Sequence, residues 1–344
     1  MQELWSIYHP DIPPFLARLS QTPPMERLRQ VGMNCGCEYT DFPLFRHLRP
    51  YSRFDHSMGV GLIVWHFSGS EAQSIAGALH DIATPVFAHT VDFLLGDHLT
   101  QEATESRTAE LIAASPEIQT ILTELGLTTE DVADYHRYPI ADNDSPRLAA
   151  DRLEYTLGNL YNYGFGTLEE VRALYEDLCI SPNEDGNPEL TFQTSEKAIT
   201  FTELALKASR IYVADEDRFS MEMLASLLRL GLERGVLSPG HLHTTEPEVI
   251  HHLLSDSDCA AKWQQFRAFS AVRQEPEQPE NGCWIRVPAK LRCIDPLMLE
   301  TGRVSQWSGR CRTLLEEFRQ TRFRPAPQYS LACSGSIRPA LAAA

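Results

Sequence analysis

The chain has no Cys-x-x-Cys pair. Its eight cysteines stand at 35, 37, 179, 259, 283, 293, 311 and 333, with a single Cys-x-Cys among them. That spacing excludes zinc knuckles and gives no disulfide framework, so the thiols read as reduced and structural. Positive charge is also scarce: 30 basic residues face 47 acidic ones, a formal net charge of -17. Nonspecific duplex binding works by neutralising phosphates, so it is disfavoured as a main activity, and only a local basic pocket remains open. No uninterrupted apolar run approaches the roughly 20 residues that span a bilayer. The opening MQELWSIYHP has no basic segment followed by an apolar stretch. We expect a cytoplasmic protein without a membrane partner. What the chain does have is 344 residues and 43% apolar content, enough for one large domain, or a core domain with an appendage, around a buried core.

Residues from about 10 to 235 read mainly as helices. The segment from Glu71 to Ile82 carries the clearest pattern: Ser70 can cap it, Gln73 completes a capping box, and Ile75, Ala76, Leu79 and Ile82 fall at helical spacing. His80 and Asp81 then sit at the end of a helix whose other side is core. In DNDSPRLAADRLEYTLGNL, Ser145 reads as a cap and Pro146 as the first helical residue. Ala149, Leu153, Leu157 and Leu160 form one apolar stripe on that helix. Asp151, Tyr155 and Asn159 lie roughly opposite, with Arg152 beside them.

The stretch 181–190 has turn composition and reads as a surface loop or hairpin connection. Helical pattern resumes after it, up to about 237. A polar run rich in Pro and Glu, 273–282, reads as a linker, and CWIRVPAKLRCIDPLML as two or three short strands. The tail reads as frayed, and there is no internal repeat. The expected organisation is mainly α: a helical core over 1–235 holding the pocket, and a helical and β appendage over 236–344.

His56 in RFDHSMGV, His80 and Asp81 in ALHDIATPVFAH, and Asp151 in AADRLEYTLGN make the most informative set. A histidine or a His-Asp dipeptide alone is most often structural. Here both histidines adjoin apolar helical stretches, and a carboxylate at the edge of a core needs a partner, of which a metal is one. Two imidazoles and two carboxylates suit borderline divalent metals, and four protein ligands leave room for a water.

These elements resemble an HD-domain metal-dependent phosphohydrolase, closest to the deoxynucleoside triphosphate triphosphohydrolase branch. PMERLRQVG, FPLFRHLRPYSRFDHSMGV, LHDIATPVFAHTVD and ADRLEYTLGN match its ordered elements over about residues 10 to 165. The resemblance implies an HD-domain helical bundle with His56, His80, Asp81 and Asp151 as ligands of one divalent ion (Mn, Fe, Co, Ni, Zn or Mg), binding a water that acts as nucleophile. It implies that Arg53 and Arg152 contact substrate phosphate, that Tyr155 lies against a sugar, and that Asn159, where the family has an Asp, accepts from a sugar hydroxyl. It implies a His89 and Asp92 dyad near the phosphorus. It also implies a small phosphorylated substrate, a nucleotide above all, and a homo-oligomer.

Two departures bear on the chemistry. Thr84 stands where that branch has a phosphate-contacting histidine, and Gln101-Glu102 where it has His-Glu. Glutamine cannot titrate, so general-acid help worth roughly 10²–10⁴-fold falls to Glu102, His89 or His98. Thr84 and Gln101 are kept as substrate-lining positions, and Glu102 as a catalytic one. Three functions stay open. The first is a hydrolase of a nucleotide or other small phosphate ester. The second is a catalytically impaired nucleotide-binding or regulatory module. The third is a di-iron oxygenase of the same fold, for which these two positions reduce the supply of histidine ligands. His136, Asp142 and Asp144 are candidates for the pocket mouth, although turn chemistry explains the two aspartates equally well.

Overall fold

Of the 16 residues in the helix Arg53–Ser68, 11 are buried, and the helices Glu71–Leu79 and Ala150–Asn162 pack against it. In this computed structural model the described residues are 1–95, 107–277, 283–285, 287, 290–320 and 330–333. The central helix starts at a capping box, with Ser52 and Asp55 satisfying each other's backbone, and stops at Gly69 in the left-handed region. Its neighbour Glu71–Leu79 crosses it closely because small residues line the crossing. A Cβ on Gly61 would lie 2.9 Å from the Ala78 Cβ, and one on Gly77 would lie 3.2 Å from Val60 and Val64. A bulkier residue at Gly61 would force the helices apart, at a cost of about 1–3 kcal/mol. The Ser74 hydroxyl donates to the Gly61 carbonyl at 2.8 Å across the same contact. The helix Ala150–Asn162 packs on another side, where Gly59 leaves room for Glu154 and Gly158 leaves room for Tyr51.

The expected cap at Ser70 forms, accepting from the Gln73 amide. That helix ends at Leu79, so His80 and Asp81 lie in the turn just past it. Arg27, from the PMERLRQVG stretch, holds that turn by donating to the carbonyls of Ile82 and Thr84 at 2.9 and 2.7 Å. The helix expected to begin at Pro146 begins instead at Ala150, with Ala149 as its N-cap. The residues ahead of it are held by tertiary hydrogen bonds. The Ala150 and Asp151 amides donate back to Ile140 and Ala141, Leu148 donates to the buried Glu189, and Asn143 donates to the carbonyls of Pro139 and Leu148. These bonds outweigh the local start signal.

Among the described residues two hydrophobic cores form. The first surrounds the central helix and takes in Ile294, Val304, Cys311, Leu315 and Phe318 from the C-terminal part. The second joins residues 35–45 and 86–93 to the helix Asp215–Glu233 and to residues as far as Phe269 and Ile285. Each core therefore draws on residues from both sides of position 235. The stretch 181–190 is a hairpin connection between the strands Leu178–Pro182 and Pro188–Phe192. Leu297–Met298 and Gly302–Arg303 extend that sheet. The expected linker opens instead as a strand, Val272–Glu275, because its backbone pairs with Ser330–Cys333, which also pairs with Trp284–Ile285. Among the described residues no helix is long and apolar enough to cross a membrane.

Candidate metal centre

His56 leaves the first turn of the central helix, His80 and Asp81 leave the turn after Glu71–Leu79, and Asp151 leaves the first turn of Ala150–Asn162. Each imidazole has its Nδ1 engaged behind it. His56 Nδ1 lies 2.6 Å from Glu154 Oε2, and His80 Nδ1 lies 2.7 Å from the Gly77 carbonyl. A carboxylate and a carbonyl can only accept, so both Nδ1 atoms carry hydrogens and both Nε2 atoms face the site. There they meet two carboxylate oxygens. His56 Nε2 is 3.0 Å from Asp151 Oδ1 and 3.8 Å from Asp81 Oδ2, and His80 Nε2 is 3.7 and 3.5 Å from the same two atoms.

Ligands of one divalent ion at about 2.0–2.2 Å lie about 2.8–3.6 Å apart, close to these separations. Among the described residues His56, His80 and Asp151 form a cluster whose ligand atoms all lie within 4.8 Å of one another. Asp81 approaches both imidazoles from the side where Arg53 Nη1 donates to its Oδ2 at 2.8 Å. Four acceptors facing one another require a positive charge between them. In the metal-free protein a proton supplies it: burial opposes the imidazolium, but Asp151 and Glu154 outweigh burial and raise His56 to about 10. Burial likewise opposes ionisation of Asp81, but Arg53, His80 and His56 hold it well below the usual carboxylate range. The donor set fits a divalent cation in place of that proton.

Around this centre the other expected residues divide. The His89 and Asp92 dyad forms, with Nδ1 to Oδ2 at 2.9 Å and Asp92 fully buried. Burial pushes His89 down to about 4, Arg292 and Arg53 add to that, and the bond to Asp92 opposes it. His89 is therefore neutral, with hydrogen on Nδ1 and a lone pair on Nε2. The loop that presents it carries Phe87 and Ala88 at φ 57 and 44, unfavourable for residues with side chains. Val86 and Phe87 amides bonded to the Leu242 carbonyl and to Glu246 hold it there.

Tyr155 stands one turn after Asp151, its ring edge-on to that of Tyr212 with centroids 6.2 Å apart. Asn159 donates to the Tyr212 hydroxyl at 2.7 Å, and its buried amide oxygen has no partner among the described residues.

The substrate-lining position Thr84 and the expected phosphate contact Arg152 both have partners within the chain. Thr84 is buried, and its hydroxyl donates to Asp81 Oδ1 at 2.6 Å, so it orients the carboxylate rather than facing the pocket. The Arg152 nitrogens bond to Asp142, to Asn143 and to the Arg147 carbonyl, which fastens the loop ahead of its own helix. Asp142 also bonds His136, at 2.7 Å. Gln101 and Glu102, with His98, lie outside the described residues.

Glu154 was missed, although its signal was legible: a carboxylate three residues after Asp151, between Leu153 and Leu157, on the face that packs inward. It is 1% exposed and accepts from Tyr51 at 2.5 Å as well as from His56. Arg292 was also missed, because nothing local connects it to a site 203 positions away; its Nη2 lies 3.2 Å from His89 Nε2.

No protein-family model matches the chain. It is similar to the uncharacterized protein YdhJ of Bacillus subtilis (strain 168), 28% identical over 240 residues, covering 69% of this chain and 70% of that one. It is also similar to a Cordyceps militaris protein named metal-dependent phosphohydrolase cns2, 24% identical over 291 residues, covering 82% and 80%. A solved phosphohydrolase of Bacteroides thetaiotaomicron superposes with a TM-score of 0.63 at 15% identity, covering 94% of this chain and 97% of that one. A hypothetical protein of Aquifex aeolicus superposes with a TM-score of 0.61 at 19% identity, covering 90% and 95%. The solved structures share the helical fold. Two of these similar proteins, the Cordyceps militaris relative and the Bacteroides thetaiotaomicron structure, carry the name phosphohydrolase, and the His-His-Asp cluster of this chain is a group that could hold a metal ion.

Proposed function

We propose that the chain hydrolyses a phosphate ester of a nucleotide or other small metabolite, with a nucleoside monophosphate as the nearest fit. The observation that carries this reading is the convergence of two Nε2 atoms and two carboxylate oxygens, with the Arg53 guanidinium bonded to one of those carboxylates. His56, His80, Asp81 and Asp151 would hold a divalent ion, which supplies Lewis acidity and lowers the pKa of a bound water. Arg53, bonded to Asp81, would neutralise phosphate charge beside it. His89, neutral and held by Asp92, offers the Nε2 lone pair of a general base, and Asp92 fixes its tautomer. Tyr155 and the Asn159 amide oxygen offer a ring face and an acceptor for a sugar.

Charge favours a monophosphate over the triphosphate of the resembled branch. Arg152 is committed to its loop, and Thr84, behind Asp81, brings neither charge nor a titrating proton. A second reading, a nucleotide-sensing module without turnover, rests on that same loss of an acid at Thr84. Incubation with nucleoside mono-, di- and triphosphates in the presence of Mn²⁺, with products resolved by ³¹P NMR, tests the assignment. Inorganic phosphate and nucleoside from the monophosphates are expected. Intact triphosphate released from a triphosphate would overturn the substrate class, and tight binding without turnover would favour sensing.

A further inference from the structure

Arg292 belongs to a short C-terminal segment that is fastened on both sides. The Asp295 amide donates to the Pro146 carbonyl at 2.9 Å, next to the loop that leads into the Asp151 helix. Asp295 Oδ1 and Oδ2 accept from the Ser305 amide and hydroxyl at 3.0 and 2.6 Å, and Ile294 is buried in the first core. From this anchored backbone the Arg292 side chain reaches His89, with Nη2 3.2 Å from the Nε2 atom that faces away from Asp92. Its charge is also felt at Tyr155, Tyr212 and Asp217. The guanidinium is therefore bonded to the dyad and within electrostatic reach of the two tyrosines. Arg53, already bonded to Asp81, acts on His89 as a second positive charge.

A guanidinium held against a neutral imidazole nitrogen has a weak acceptor. A phosphate oxygen is a stronger one, because the bond is charge-assisted on both sides and can be bidentate. We propose that Arg292 is a substrate-binding residue that exchanges His89 Nε2 for a phosphate oxygen, so that the arriving anion itself uncovers the lone pair of His89. The exchange moves one N–H donor from nitrogen to oxygen and breaks no covalent bond. It explains how a half-buried base beside two cations avoids a competing proton until substrate is present. Only its consequence for turnover rests on the hydrolase reading; the anion site does not.

The test uses the full-length protein, with inorganic phosphate and adenosine 5′-monophosphate as probes. Calorimetry gives their affinity for wild type, Arg292→Gln and Arg292→Lys, and imidazole ¹⁵N NMR reads the state of His89 Nε2. Removing a charge-assisted contact should weaken phosphate binding by about 10- to 100-fold in Arg292→Gln. Arg292→Lys, which keeps the charge and loses the fork, should fall between. Phosphate should move the wild-type His89 Nε2 resonance toward its position in unliganded Arg292→Gln. Wild-type phosphate affinity in a folded Arg292→Gln, or a His89 resonance that phosphate leaves unmoved, would overturn the assignment. If these shifts occur while no phosphate ester is turned over, the anion site stands and the hydrolase reading fails. If turnover occurs and Arg292→Gln keeps the wild-type KM, the inference fails and the hydrolase reading stands.

Discussion

Glu154→Gln isolates one electrostatic contribution to metal binding. Glu154 Oε2 takes both strong donors, His56 Nδ1 at 2.6 Å and the Tyr51 hydroxyl at 2.5 Å, while Oε1 faces the Tyr8 hydroxyl at 3.5 Å. A glutamine with its carbonyl in the place of Oε2 keeps both donors satisfied. Its amide then faces Tyr8, whose oxygen can accept. Volume and hydrogen bonds are preserved, and the negative charge behind His56 is lost. The expected stability change is within about 1 kcal/mol, because no buried donor is orphaned. The imidazole loses the partner that raises its basicity as a ligand, so metal affinity should fall about 10- to 100-fold, or about 1.4–2.7 kcal/mol. Glu154→Ala would instead strand two buried donors at about 1–3 kcal/mol each, a large share of a typical domain's stability. Competition between the protein and a chelating dye for Mn²⁺ or Zn²⁺, with thermal melts in parallel, measures both quantities. Wild-type metal affinity in the glutamine variant would refute the orienting role.

Three further outcomes follow from the same geometry. Because His89 is pushed from 6.5 down to about 4, the unfolded chain takes up a proton between those values that the folded chain refuses. The stability it contributes is complete above about pH 6.5 and is lost as pH falls to 4, at most about 3 kcal/mol. Urea unfolding at pH 7 and 4.5 should therefore show a smaller acid loss in His89→Gln than in wild type, and equal losses would contradict the placement. His56, raised to about 10 without metal, must give up its proton to bind one, so metal uptake at pH 7.5 should release about one proton. Calorimetry in buffers of different ionisation enthalpy reads that number, and zero release would remove His56 from the ligand set. Arg303 pairs with the fully buried Glu189 and with Glu184. Arg303→Met should cost about 3–5 kcal/mol in urea unfolding by leaving a buried carboxylate uncompensated, and a loss below about 1 kcal/mol would show that Glu189 is relaxed or neutral.

Local pattern carried the helical class, the cap at Ser70 and the three elements that bring His56, His80, Asp81 and Asp151 together, because each depends on spacing within one short segment. It failed where distant partners decide. The helix start moved from Pro146 to Ala150 under hydrogen bonds that the Ala150, Asp151 and Leu148 amides donate to Ile140, Ala141 and Glu189. Arg152 was expected to face phosphate, yet its own loop wraps the guanidinium. Thr84 was read by position alone, whereas its hydroxyl, three residues from Asp81, closes back onto that carboxylate. Glu154 was legible as a charge on an apolar face, and the Arg292 contact with His89 was not, because only the folded chain brings them together.

The most direct test of the central claim is inorganic phosphate release from adenosine 5′-monophosphate and p-nitrophenyl phosphate by wild type with Mn²⁺, by wild type with chelator, and by Asp151→Ala with Mn²⁺. Asp151 Oδ1 is 3.0 and 3.7 Å from the two Nε2 atoms, so its loss should abolish release as completely as the chelator does. Release that survives the chelator or the substitution would contradict a metal-dependent phosphohydrolase built on this cluster.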